Sequence, residues 1–183
     1  MNLTSANIKL DRTALGTHLG AVYDYWSTIK KNSPLPSWSD MDMMALPLVI
    51  LPWCAVVDVL PDIDDFRVRF WGTERVRLQG DDYTGKQVSE FSPLQTSEKV
   101  RNELREVVEQ HQPMLFETTL ETDDKQFDTT YQMLRLPFGD ADKVDIIISA
   151  PKFPKNIKAI YEWFGMEVPI SVLKQQGASR KIY

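Results

Sequence analysis

Apolar residues recur along the N-terminal part of the chain with a helical rhythm. Leu15, Leu19, Val22, Trp26 and Ile29 follow one another at steps of four, three, four and three, which puts them on one stripe of a helix. Asp11 or Thr13 is placed to cap its start, and Lys30 and Lys31 suit its negative end. The stripe has two possible partners: the chain's own core, or a second copy packed as in a coiled coil. Residues 1–10 are polar without a pattern and predict a loose end. Prolines 34 and 36 break the helix. Ser39 or Asp40 can then cap a short helix over 41–46, stopped by Pro47.

From Pro52 the rhythm changes to a period of two. Residues 55–60 are rich in β-branched side chains, and residues 66–71 alternate strictly, so two antiparallel strands join through the turn-forming residues 61–65. Short helices are predicted over 73–79, closed by Gly80, and over 86–91. A long helix capped by Ser92 or Thr96 runs to about residue 110, with Val100, Leu104, Val107 and Val108 on one face and Pro113 beyond it. Strand-like runs follow at 114–121, 128–137 and 144–150, separated by turns at Asp123-Asp124 and Gly139-Asp140. A last helix is predicted over 153–165, and a frayed tail over 174–183. The expected fold is α+β: a five-stranded antiparallel sheet with helices packed on one face, an N-terminal helical extension and a C-terminal helix. Because the chain leaves the sheet after two strands and returns for three, a cleft should form between the helices and the inner sheet face.

Composition narrows the function classes. The 183 residues are 43% hydrophobic and 26% charged, with a net charge of −5, which suits one folded domain and argues against nucleic-acid binding. The longest apolar run, residues 45–51, is far too short to span a bilayer, and residues 1–10 do not form a signal peptide. A cytoplasmic protein is expected. The single cysteine, Cys54, excludes an intrachain disulfide and a cysteine-based zinc site, and reads as a buried thiol.

The order of elements, together with several local words, resembles a PAS domain. Tyr25-Trp26, Pro36-Ser37, Leu51-Pro52, Asp58-Val59, Phe66-Arg-Val-Arg-Phe-Trp-Gly-Thr73 and Gly80-Asp-Asp-Tyr-Thr-Gly85 resemble the family of small stand-alone bacterial PAS proteins. The likeness covers about residues 21–150. It departs at Trp38, where that family commonly carries arginine. The residues of these words read as structural: Gly72 lets the strand turn into a helix that Thr73 can cap, Gly80 and Gly85 suit positive φ, and Asp82 can accept backbone donors. The division implied is a tail and helical cap over 1–50, a PAS-like domain over 51–151, and a C-terminal helix and tail over 152–183.

Candidate chemistry is sparse. His18 lies off its helix stripe and reads as solvated. His111, at the end of the long helix, occupies the region from which haem-binding PAS relatives ligate iron. Pro113 favours a helix-capping role there instead, so neither haem nor another cofactor is expected. Cys54 does not stand in the cysteine motif of flavin-binding relatives. Asp62, Asp64 and Asp65 read as a solvated loop and no metal is expected. Glu103 with Glu106, and Glu117 with Glu121, read as exposed faces.

What remains is the cleft. Its expected walls are Phe70, Val76, Leu78, Leu104, Val108, Phe116, Tyr131, Leu134 and Ile148, with Arg69 or Arg135 at the edge to meet a carboxylate or phosphate. The same residues would equally fill a packed core. The resemblance implies a non-catalytic sensory or regulatory protein that binds a small molecule or a protein partner. Too few residues follow Ala150 to hold an output domain, so the signal is expected to leave by association, as a homodimer through the Leu15–Ile29 stripe or by docking to a signalling protein. Trp26, Trp38, Trp53 and Trp163 are anchors of the kind that interfaces and cores both use. The competing reading is a small isomerase or dehydratase with Asp58 and Tyr131 as an acid–base pair in an apolar pocket.

Overall fold

The computed structural model describes residues 2–61, 64–121, 129–154 and 157–169. Strands β1 (Asn2–Ile8), β2 (Ala55–Val59), β3 (Phe66–Trp71), β4 (Met114–Glu121), β5 (Thr129–Gly139) and β6 (Val144–Lys152) form one antiparallel sheet in the order β1-β4-β5-β6-β2-β3. Helices α1 (Gly16–Lys30), α2 (Thr73–Gln79), α3 (Leu94–Gln110) and α4 (Lys158–Trp163) surround it. Single 3-10 turns occupy Trp38–Asp40, Met43–Ala45, Leu51–Trp53 and Val88–Glu90. The five strands expected from the sequence are present, and the long excursion between β3 and β4 lays α2 and α3 over one face.

The sheet gains a sixth strand where a loose end was expected. β1 pairs along β4 in full register, from Asn2 opposite Glu121 to Ile8 opposite Leu115. Five of its seven residues are exposed, so this edge strand needs no apolar alternation. Polar bonds tie it down instead: Ser5 Oγ donates to Glu103 at 2.5 Å and Asn7 Nδ2 to Glu106 at 2.8 Å.

The α1 stripe packs on the chain's own core, not on a second copy. Leu15, Leu19, Val22 and Trp26 are between 1% and 4% exposed, and Ile29 packs partly buried against the same cluster. Trp26 Nε1 donates to the Pro137 carbonyl at 2.8 Å, joining α1 to β5. Both faces of the central strands are therefore covered, and Met133 to Phe138 are buried without interruption. The helix lacks the expected cap. Asp11 accepts from Thr13 N and Thr13 Oγ1 in the preceding turn, while the N-cap position falls on Leu15.

Smaller corrections concern caps and ends. The 3-10 turn at Met43–Ala45 is capped by Asp42 rather than Ser39 or Asp40, and α3 starts after Pro93 without a side-chain cap. Gly72 itself is the N-cap of α2. Its φ of −62° is ordinary, but a Cβ there would lie 2.1 Å from the Pro52 carbonyl oxygen, so close approach is what requires glycine. Gly80 does end α2 in the left-handed conformation, and Asp82 Oδ1 accepts from Thr84 N at 2.9 Å. The last helix, Lys158–Trp163, is shorter than expected, and β6 runs on to Lys152. Asp62, Asp123, Asp124 and the tail 174–183 lie outside the described residues. Asp65 caps the start of β3, accepting from Phe66 N at 2.8 Å and Ser89 N at 3.2 Å. Among the described residues no helix is long and apolar enough to cross a membrane.

Candidate functional site

Between α2, α3, α4 and the sheet lies a cavity of about 40 Å³, walled by residues of all three helices and of β2, β3, β5 and β6. By size it holds roughly three or four water molecules. Four of the expected residues line it: Leu78, Leu104, Tyr131 and Arg135. Phe70, Leu134 and Ile148 do not. Each neighbours a residue that faces the cavity — Trp71, Met133 or Arg135, and Ser149 — and strand alternation turns it to the α1 side. Phe116 pairs with Met133 but sits one strand further out, beside a surface groove under β1. Val76 and Val108 pack partly buried against the main core.

Arg69 is also on the outer side. It makes an ion pair with Asp58, Nη2 to Oδ1 at 2.6 Å, and its guanidinium stands 5.7 Å from the Trp38 ring centroid. Asp58 follows Val57, which faces the cavity, so it points away from it. Asp58 and Tyr131 therefore do not form an acid–base pair.

Arg135 lies in the interior rather than at an edge. Its side chain is 3% exposed and its Nε and Nη2 both donate to Glu103 Oε2, the former at 3.0 Å, while Nη1 donates to Ser149 Oγ at 2.6 Å. Lys99, one turn before Glu103, gives its ammonium to Glu103 Oε1 at 3.1 Å, Thr118 Oγ1 at 3.2 Å and Tyr131 Oη at 3.3 Å. Glu103 is thus not an exposed helix face but the buried hub of the site. Burial alone would raise its pKa. The ion pairs with Lys99 and Arg135, and the hydrogen bonds from Ser5 and Arg135, outweigh burial and hold the carboxyl down at about 2.

Arg75 was missed by the sequence reading and is the unusual member. It is 7% exposed, its Nε donates to the Trp53 carbonyl at 2.6 Å, and its Nη2 meets only the Met133 sulfur at 3.5 Å. Its guanidinium stacks 4.9 Å from the Trp71 ring centroid. Among the described residues it has no carboxylate partner, and burial pushes its pKa down to about 10, which leaves it protonated at neutral pH. Two further polar atoms of the wall, Trp71 Nε1 and Gln79 Oε1, are buried without a hydrogen-bond partner among the described residues. A helix-spacing signal for Arg75 existed: it precedes Leu78 by three residues and Gln79 by four, so all three share a face. Nothing in the sequence marked Trp71, Thr96, Phe153, Ile160 or Phe164 as wall residues.

The remaining candidates are separate from this cavity. Cys54 is fully buried, its Sγ donates to the Ile50 carbonyl at 3.4 Å, and burial raises its pKa to about 12. His111 ends α3 with φ of 50°, its ring within 3.4 Å of the Glu109 carbonyl and 3.3 Å of the Asp142 carbonyl. No group of three or more His, Cys, Asp or Glu side chains among the described residues is arranged to hold a metal ion.

The family model described as PAS domain matches residues 17–149. The chain belongs to the PAS domain family. That match takes in β2 to β6 with α1 to α3, hence most of the cavity wall, and places the protein among sensory and signalling domains. No curated protein matches the chain. One solved structure, of an RNA-binding light-oxygen-voltage receptor, aligns with 99% of this chain and 45% of the receptor, at 10% identity and a TM-score of 0.39. The chain thus spans less than half of that receptor, and at such a score nothing about light or RNA follows for this PAS domain.

Proposed function

We propose that this PAS domain is a non-catalytic sensor that binds a small ligand in the cavity between the sheet and helices α2, α3 and α4. What favours a ligand over a fully packed core is a pair of buried polar atoms on lining residues, Trp71 Nε1 and Gln79 Oε1, without a partner among the described residues. The wall is otherwise mostly apolar, with Val57, Leu78, Val100 and Leu104 around a few polar points, as in small-molecule sites. Phe153, Ile160 and Phe164 bring the C-terminal segment into the same wall. Ligand occupancy therefore bears on how α4 is seated, and the signal leaves by association with another protein or a second copy. That association uses a surface other than the α1 stripe, which is buried. The resemblance to stand-alone bacterial PAS proteins favours a cytoplasmic setting. Native mass spectrometry of freshly purified protein, followed by denaturing mass spectrometry of the same sample, tests the ligand. A small mass lost on denaturation is the expected result, and a clean mass that no added small molecule shifts would refute it.

A further inference from the structure

Three cations surround the cavity, and among the described residues one anion answers them. Arg75, Lys99 and Arg135 all contribute to the wall, in which no described residue is an aspartate or glutamate. Lys99 and Arg135 share Glu103 behind the wall. Arg75 is left with a carbonyl and a thioether, its Nη1 hydrogens unused among the described residues. A buried guanidinium without a counter-ion is costly unless something anionic reaches it. Beside it, on the ring it stacks against, Trp71 carries an N–H without an acceptor among the described residues. Two adjacent donors, one charged and one neutral, suit the two oxygens of a carboxylate.

Resting on the sensor reading above, we infer that the cavity takes a short-chain carboxylate, its two oxygens on the Arg75 guanidinium and Trp71 Nε1 and its apolar end toward Val57, Val100 and Leu104. Gln79 Oε1, the other wall atom without a partner among the described residues, would accept from a hydroxyl or amine the anion carries. Size sets the class: about 40 Å³ admits only a few heavy atoms. Phosphate is the poorer match, because its further oxygens would need donors beyond these two while Lys99 and Arg135 are already engaged by Glu103. Burial holds the Arg75 pKa down at about 10, and a bound anion would return it toward its ordinary range.

The test titrates the full-length, isotope-labelled protein with sodium acetate, propionate or butyrate, against sodium chloride and sodium phosphate at matched ionic strength. The readout is the set of indole N–H resonances from the five tryptophans. The Trp71 resonance, assigned by its loss in Trp71→Phe, moves saturably with a carboxylate and stays still with chloride or phosphate. Trp71→Phe keeps an aromatic side chain but removes the indole N–H, and weakens binding about tenfold, the effect of losing a hydrogen bond to a charged group. Arg75→Gln weakens it by at least as much. If both variants fail to fold, the comparison of carboxylate with chloride and phosphate in the unaltered protein still decides. Saturation by phosphate or chloride equal to that by carboxylate overturns the carboxylate assignment. A neutral molecule released in the denaturing mass spectrum would overturn it too, while leaving the sensor reading standing. No saturable shift with any probe, together with a clean native mass, overturns both.

Discussion

Glu103 shows most clearly how one side chain ties the fold to the site. Its buried carboxylate receives Arg135 from β5, Lys99 from its own helix and Ser5 from the edge strand β1. A buried ion pair adds little stability over an apolar replacement, but removing one partner strands the others. Glu103→Gln is expected to destabilise the protein by about 3 kcal/mol at neutral pH, since two buried cations lose their anion. The sign of the pH dependence follows from the depressed pKa. The unfolded chain takes up this proton at the ordinary value of 4.5, whereas the folded chain resists until about 2. The stability contributed by Glu103 is therefore complete above 4.5 and drains away as pH falls from there toward about 2. Urea unfolding of the two proteins between pH 7 and pH 3 measures this: the gap between them narrows in acid, and a gap independent of pH would contradict the assignment.

At the scale of elements, β1 is the piece whose role is least visible in its own residues. It covers the free edge of β4, and with Ser5 it completes the shell around Glu103. Deletion of residues 2–8 is expected to cost at least about 2 kcal/mol, because Glu103 loses a charge-assisted donor and β4 loses its ladder partner. The exposed β4 edge should also make the shortened chain self-associate as concentration rises. Chemical unfolding with light scattering across a concentration series checks both, and a deletion with unchanged midpoint and scattering would make β1 dispensable. The contrast with other elements explains what the sequence revealed. β3 and α1 announced themselves because half their residues meet the core, so burial stamped its period on them. β1 meets the core with little besides Leu3 and Ile8, and its polar partners are about a hundred positions away. The cleft walls were half legible for a related reason. Helical spacing from Leu78 points to Arg75, but β5 and β6 are buried on both faces and lack the alternation that would show which residues face the cavity. Leu134 and Ile148 were therefore assigned to the wrong side.

Across the whole molecule, the cavity is closed by the segment least embedded in the sheet. α4 rests on a separate small core of Leu78, Leu120, Ile160 and Tyr161, and Trp163 Nε1 donates to Thr96 Oγ1 at 2.9 Å, tying it to α3. Met166 packs beside Gly80 at the end of α2, so the segment leans on two of the three wall helices. The sheet, by contrast, carries the large core and ladders on both sides of β5 and β6. Local opening draws on the free energy of local contacts, so residues 157–166 should exchange their amide hydrogens through a sub-global opening well before β5 and β6 do. Trp163→Phe keeps an aromatic side chain but removes the indole N–H that ties α4 to Thr96. It should speed exchange in that segment by about fivefold while leaving β5 and β6 unchanged, the effect of losing a hydrogen bond worth about 1 kcal/mol. Hydrogen exchange read by mass spectrometry on both proteins separates two behaviours. If α4 exchanges only with the sheet, the molecule opens as one unit and pocket occupancy has no separate element to move. If α4 opens alone, and a molecule in the cavity slows that opening without touching the sheet, Phe153, Ile160 and Phe164 are the contacts through which binding reaches the surface.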